Sequence, residues 1–165
     1  MQTKKEYPDC ILFYRLGDFY EMFFDDALTA SKELEITLTG KNCGLKERAP
    51  MCGVPYHAVD GYLNRLVSKG YKVAICEQLE DPAAAKGIVK RDVVRIVTPG
   101  TNLDTQALDE TKNNYLMAVV YTGNNYGIAT VDITTGDFFV TEVTSERALL
   151  DEINKFTPSE LVCNE

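Results

Sequence analysis

The chain contains no tryptophan and only one histidine, His57. Its apolar residues never continue for the ~20 positions that a membrane-spanning helix needs. The N-terminus, MQTKKEYPDC, also lacks the apolar segment of a secretory signal. We therefore expect a soluble, cytoplasmic protein with no membrane association. The single histidine excludes a catalytic or metal site built from several histidines.

The number and spacing of the cysteines favour neither disulfide bonds nor a zinc site. The five cysteines are an odd number and include no C-x-x-C pair. Cys43, Cys52 and His57 form the one metal-like grouping, but three donors at this spacing match no common pattern, because structural zinc takes four ligands. The sequence thus predicts no metal site.

Motifs for nucleotide binding and nucleophilic catalysis are missing as well. There is no G-x-x-x-x-G-K-[ST] phosphate loop and no G-x-S-x-G elbow. The nearest candidate, at Gly40 and Lys41, lacks both the first glycine and the hydroxyl of a phosphate loop. These absences predict a binding module and not an enzyme.

Charge is distributed unevenly along the chain. The net charge of −8 argues against contact with phosphates, which requires Lys and Arg. Residues 1–103, however, carry 14 acidic and 14 basic side chains, whereas residues 104–165 carry 11 acidic and 3 basic ones. The acidity belongs to the C-terminal part, and the first part remains compatible with nucleic acid.

The first hundred residues alternate strand and helix patterns. Residues 11–16 are apolar on both faces and predict a buried strand ending in a turn at 17–18. The elements predicted beyond it are a helix capped by Asp25 or Asp26, a strand at 36–39, a polar loop at 40–48, a helix from near His57 to Gly70, and strands at 71–78 and 89–97. Together they predict an α/β fold, a mixed sheet with flanking helices.

The remaining residues have a different pattern. Residues 101–112 are polar, and behind them come predicted strands at 115–121, 126–132 and 137–143, a helix from the Ser145 cap to Phe156, and a strand from 161. This β-β-β-α-β order is the first part of a ribonuclease-H-like fold. We predict a domain at 1–103, a linker at 104–112 and a partial, truncated domain at 113–165 of a longer protein.

Five blocks of sequence occur in a recognisable order: 17–23 (GDFYEMF), 24–27 (FDDA), 50–58 (PMCGVPYHA), 73–78 (VAICEQ) and 93–101 (VVRIVTPGT). They resemble the mismatch-recognition domain of the MutS family of DNA mismatch-repair proteins. The resemblance implies that residues 113–165 begin the connector domain of that family.

Phe19 and Glu21 match the F-x-E motif of this family. The resemblance implies that Phe19 enters the minor groove and stacks on a mispaired or unpaired base, while Glu21 hydrogen-bonds that base. In an extended segment, residues i and i+2 share a face, so both side chains can point at one base with Tyr20 turned inward. The residues alone also allow Phe19 to be a core residue and Glu21 a solvated carboxylate at a helix start.

Basic side chains would have to hold the duplex. The resemblance favours Lys41 and Arg91 as contacts to the DNA backbone. Weaker candidates are Lys46, Arg48, Lys86, Lys90 and Arg95, together with a loop at Gly53, Val54 and Pro55 that would run beside the groove.

Asp132 and Asp137 permit a competing hypothesis. Nucleases of the ribonuclease-H type place Mg²⁺-binding carboxylates on such strands. Residues 134–137 (TTGD) are also typical of a hairpin turn, and the MutS connector has this fold without nuclease activity. The resemblance further implies a full-length ATP-dependent homodimer with a MutL-type partner, and ATP and Mg²⁺ bound outside this chain, which itself carries no cofactor.

Overall fold

The computed structural model describes residues 2–44, 46–80, 89–103 and 112–164. It divides the chain into two compact units, residues 1–98 and residues 99–165. Within the described residues, no helix is both long enough and apolar enough to cross a membrane.

The first unit is a six-stranded mixed sheet with helices. Its elements are α1 (Gln2–Glu6), β1 (Cys10–Leu16), β2 (Phe19–Phe23), α2 (Phe24–Leu34), β3 (Thr39–Lys41), β4 (Ala49–Pro55), a 3₁₀ turn (Tyr56–Ala58), α3 (Val59–Val67), β5 (Lys72–Gln78) and β6 (Arg91–Val97). The strand order is β3-β4-β2-β1-β5-β6, with β1 and β5 parallel and the other neighbours antiparallel. The predicted α/β class and mixed sheet are confirmed.

Strand β1 is central, and it is buried on both faces as its continuous apolar pattern predicts. Ile11 and Phe13 join the larger core, in which α2 and α3 pack on one face of the sheet. Cys10 and Leu12 join a smaller cluster on the other face, where Tyr7 and Tyr14 pack against them.

The predicted capping of α2 by Asp25 or Asp26 is wrong. The helix begins at Phe24, and its N-cap, Phe23, provides no side-chain cap. Asp26 is buried. Its carboxylate accepts a hydrogen bond from the Leu12 backbone N–H at 3.0 Å and forms an ion pair with the Lys4 ammonium at 2.9 Å. The pairing between β1 and β2 does not extend to Leu12, so the Leu12 N–H needs another acceptor. Asp26 provides it, and its side chain therefore points towards the sheet and does not cap α2.

Two predictions around β3 and β4 are also wrong. The strand predicted at 36–39 lies at Thr39–Lys41, and the loop expected at Gly53, Val54 and Pro55 is the end of strand β4. The family resemblance implied a loop here, and glycine and proline do disfavour strands, but β2 and β3 both pair with β4. Pro55 is tolerated because it is the last residue of the strand.

The second unit confirms the predicted β-β-β-α-β order. After a 3₁₀ turn (Pro99–Thr101) it contains β7 (Tyr115–Tyr121), β8 (Tyr126–Asp132), β9 (Phe138–Val143), α4 (Glu146–Phe156) and β10 (Glu160–Cys163), in the sheet order β10-β7-β8-β9. Ser145 caps α4 as predicted, because its hydroxyl accepts a hydrogen bond from the Ala148 N–H at 3.3 Å. Met117, Val119 and Ile128 form the core of this unit.

Candidate nucleic-acid interface

Phe19 is presented at the start of β2 by a tight hairpin. Gly17 adopts a φ of +59°, which an L side chain rarely tolerates, and this lets β1 turn directly into β2. The Tyr56 N–H donates to the Asp18 carbonyl at 2.9 Å and ties the turn to the end of β4. The Phe19 ring is 47% exposed, so it does not belong to the core.

Side chains of β2 alternate between the two faces of the sheet. Tyr20 and Met22 are buried in the core beneath α2 and α3, whereas Phe19, Glu21 and Phe23 lie on the opposite face. The ring of Phe19 and the carboxylate of Glu21 therefore share the face that these helices leave uncovered. The inward position of Tyr20 is the one expected from the sequence.

A polar network beneath Phe19 fixes the hairpin from the core side. The Tyr20 hydroxyl donates a hydrogen bond to the Glu77 carboxylate, which lies 3.9 Å from the Arg15 guanidinium. Arg15 also donates to the Gly17 carbonyl at 2.5 Å and lies 3.8 Å from the centroid of the Tyr56 ring. The network joins β1, β2, β5 and the turn after β4.

Burial, and then the hydrogen bond and charge of Glu77, raise the pKa of Tyr20 to about 12. An unfolded tyrosine ionises near pH 10, so the unfolded state releases this proton first and folding stability falls between about pH 10 and pH 12. Tyr20→Phe should lower the free energy of unfolding by about 1.5–3 kcal/mol at pH 7, because it removes a hydrogen bond to a charged group. It should also flatten the loss of stability between pH 10 and 12. Urea denaturation at pH 7, pH 10 and pH 12 measures both effects, and Tyr62→Phe in α3 is the control outside the network. An equal loss of stability between pH 10 and pH 12 in Tyr20→Phe and in the unaltered chain would contradict the assignment.

Glu21 in β2 forms an ion pair with a lysine of β3, two strands away in the sheet. Glu21 pairs with Gly53 of β4 and with Tyr14 of β1, and its Oε2 forms an ion pair with the ammonium of Lys41 in β3. Because β4 lies between β2 and β3, this ion pair crosses β4. The Glu21 side chain is 15% exposed and that of Lys41 is 39% exposed.

Arg91 lies on the same face at the other side of the hairpin. Its guanidinium lies 5.3 Å from the centroid of the Tyr14 ring. It donates through Nε to the Arg15 carbonyl and through Nη1 to the Val89 carbonyl, both at 2.9 Å. Arg91 therefore ties β6 to β1 while it brings positive charge next to the β1–β2 hairpin. Tyr14 was not found from the sequence, because its position opposite Glu21 depends on the strand register.

The weaker candidates are scattered. Lys46, Arg48 and Lys90 are exposed, and Arg48 donates to the Gly40 carbonyl. Arg95 pairs with Ile75, a residue of the helix-side core, so the register places it on the face opposite Glu21. Val54 is fully buried, while Gly53 and Pro55 pair with Glu21 and Phe19. Lys86 lies outside the described residues.

Comparisons with protein families cover both units. The family model described as MutS domain I matches residues 1–106, and the model described as MutS domain II matches residues 114–165. The chain belongs to the MutS family.

Curated relatives agree along the whole chain. "DNA mismatch repair protein MutS" of Lachnoclostridium phytofermentans is 73% identical over 164 residues, which cover 99% of this chain and 18% of that protein. The proteins of the same name from Ruminiclostridium cellulolyticum and Clostridium tetani are 68% and 62% identical, again over 99% of this chain and 19% of theirs. The chain thus spans about a fifth of the length of these MutS relatives.

In the part matched to MutS domain II, Asp132 is fully buried at the end of β8. Its carboxylate accepts hydrogen bonds from the Thr134 hydroxyl at 2.6 Å, the Thr134 and Asn114 N–H groups at 2.9 Å, and the Asn113 amide at 3.1 Å. Burial by itself would raise the pKa of this carboxyl, but these donors outweigh burial, and the pKa lies below its ordinary value. Asp137, by contrast, is exposed. This arrangement favours the hairpin-turn interpretation of Asp132 over the nuclease hypothesis.

Proposed function

We propose that this chain recognises mispaired and unpaired bases in double-stranded DNA, as the N-terminal part of a MutS protein acting in mismatch repair. The observation that carries the proposal is the exposed Phe19 ring at the start of β2, with the Glu21 carboxylate two residues further along the same face. Phe19 enters the minor groove and stacks on the disturbed base, and Glu21 hydrogen-bonds that base.

Discrimination comes from how easily the base step opens. An inserted apolar wedge must unstack two bases at a cost of a few kcal/mol, and a mismatched step resists less than a paired one. The site can therefore read deformability without a code for particular bases. The contacts of Asp18 and Arg15 support this role, because a hairpin that is already ordered loses little entropy when its ring is inserted.

Phosphate contacts hold the duplex without reading its sequence. Arg91 is the best-placed cation for this task, since its guanidinium lies beside the hairpin over Tyr14. Lys46 and Lys90 are exposed and can add to it. For the whole protein we propose an ATP-dependent homodimer that recruits a MutL-type partner, with ATP and Mg²⁺ bound outside these residues.

The test uses a chimera in which this chain replaces the matching segment of the Lachnoclostridium phytofermentans relative, to which it is 73% identical. Fluorescence anisotropy measures binding to three duplexes that differ in one position: matched, G·T-mismatched, and with one unpaired T. We expect the chimera to bind the two defective duplexes about tenfold or more tightly than the matched one, a difference of ~1.4 kcal/mol. The chain by itself should bind weakly and with a shallow dependence on salt, because residues 1–103 carry no net charge.

The unaltered relative is the control for the assay. Equal affinity of the chimera for all three duplexes, measured while the relative discriminates between them, would overturn the proposed function. Tight binding of matched DNA by the chain alone at high salt would contradict the expected electrostatics.

A further inference from the structure

The family resemblance implied that Glu21 contacts the mispaired base and that Lys41 contacts the DNA backbone. The structure joins these two side chains in an ion pair. We infer that Lys41 is a positioning residue for Glu21: it holds one carboxylate oxygen so that the other is aimed at the base. This inference rests on the proposed function. It assigns Lys41 to the reading of the base and not to a general phosphate contact.

The geometry of the carboxylate supports this assignment. Lys41 contacts Oε2 of Glu21, and the ion pair leaves Oε1 as an acceptor for a base. An ammonium on one oxygen restricts the rotation of the carboxylate, so the second oxygen points in a defined direction before DNA arrives. A carboxylate fixed in this way loses less entropy when it forms the hydrogen bond to the base.

The strand register brings Glu21 and Lys41 together across β4. Glu21 lies opposite Gly53, and Lys41 lies opposite Ala49, both in β4, so the ion pair passes diagonally over this strand. A side chain at Gly53 would start 3.6 Å from Cγ of Glu21 and 3.2 Å from the Tyr20 carbonyl. The distance to Glu21 is an ordinary van der Waals contact and the distance to the carbonyl is tight, so the glycine avoids crowding against the β2 backbone next to Glu21.

The surroundings of the pair shield it partly from solvent. The Glu21 side chain is mostly buried, and the Lys41 ammonium lies 5.7 Å from the centroid of the Phe23 ring. Partial burial reduces solvent screening, and the face of the ring attracts the cation. Lys41 also offsets the negative charge that Glu21 carries towards the phosphates, which would otherwise repel it.

A double-mutant cycle in the chimera separates this role from a phosphate contact. The variants are Lys41→Met, Glu21→Gln and both together, each measured on the matched and the G·T-mismatched duplex. If Lys41 acts through Glu21, Lys41→Met should weaken mismatch binding about fivefold more in the presence of Glu21 than in the Glu21→Gln background. It should also lower the ratio of mismatched to matched affinity, whereas the loss of a phosphate contact leaves this ratio unchanged.

Two further variants make the result specific. Lys46→Met removes an exposed lysine after β3 that lies outside the ion pair, and its effect should combine with Glu21→Gln by simple multiplication. Lys41→Arg keeps a cation able to bind a carboxylate and should restore the wild-type ratio to within about twofold. Thermal melting of each variant confirms that the unit is folded.

The outcomes distinguish this inference from the function on which it rests. If the chimera discriminates between duplexes but the effects of Lys41→Met and Glu21→Gln simply multiply, Lys41 is a phosphate contact and the inference is wrong while the function stands. If the chimera fails to discriminate where the unaltered relative does, both proposals are overturned.

Discussion

Phe19→Ala is expected to reduce the affinity of the chimera for a mismatched duplex about tenfold or more, down to its affinity for matched DNA, which should stay nearly unchanged. Stacking of one base on an aromatic side chain contributes ~1–3 kcal/mol, a factor of about 5 to 150, which is enough to account for this loss. Anisotropy titrations on matched and G·T-mismatched duplexes measure both affinities. Their ratio should fall close to one.

The structure predicts that this loss is specific to binding. Phe19 is about half exposed, and the hairpin is held by the backbone contact of Asp18 and by Arg15, none of which involves the ring. The free energy of unfolding should therefore change by less than about 1 kcal/mol. Phe138→Ala, which removes a 64% exposed ring in the second unit, is the matched control and should leave the ratio intact. A wild-type ratio in Phe19→Ala would show that the ring does not probe the base.

Whether Phe19 is exposed could not be decided from its own segment. The run from Phe19 to Phe23 is apolar at four of five positions, so its pattern allows either face to be the buried one. The choice is made by pairing: Tyr20 lies opposite Val54 in the core, and Phe19 lies opposite Pro55 at the end of β4. The family resemblance implied the role of Phe19, whereas its exposure required the register of three strands.

The ion pair of Glu21 with Lys41 was out of reach of sequence reasoning for the same reason. The two residues are 20 positions apart and are separated in the sheet by β4, whose residues looked like a loop. A lysine between glycines is typical of a solvated loop, so the sequence suggested a free cation. Long-range pairing changed that environment.

The second unit was predicted well because its signals are local. Two hairpins with short turns join β7 to β8 and β8 to β9, and each turn contains a glycine with positive φ, Gly123 and Gly136. The serine cap of α4 is likewise contained within four residues. What local pattern did not reveal is that Asp132 is buried beneath the second turn and accepts four hydrogen bonds.

Asp132→Asn is accordingly expected to lower the free energy of unfolding of the second unit by about 3 kcal/mol at pH 7. The carboxylate accepts four hydrogen bonds, and an amide replaces one accepting oxygen with a donor that faces other donors. Since the pKa of Asp132 lies below its ordinary value, its contribution to stability is present above about pH 4 and is lost as pH falls through the lower, folded-state pKa. The difference between the two proteins should therefore narrow in acid.

Hydrogen exchange of the β7 and β8 amides at pH 7 and under acid conditions measures this effect in the second unit alone. Asp137→Asn changes an exposed carboxylate in the same turn and should alter stability by less than about 0.5 kcal/mol. The same variants test the nuclease hypothesis, because a carboxylate saturated by protein donors has no oxygen to offer a metal. DNA incubated with the unaltered chain and Mg²⁺ or Mn²⁺ should remain intact. Cleavage that disappears in Asp132→Asn would mean that Asp132 serves chemistry. A variant as stable as the unaltered chain would contradict the structural role of Asp132.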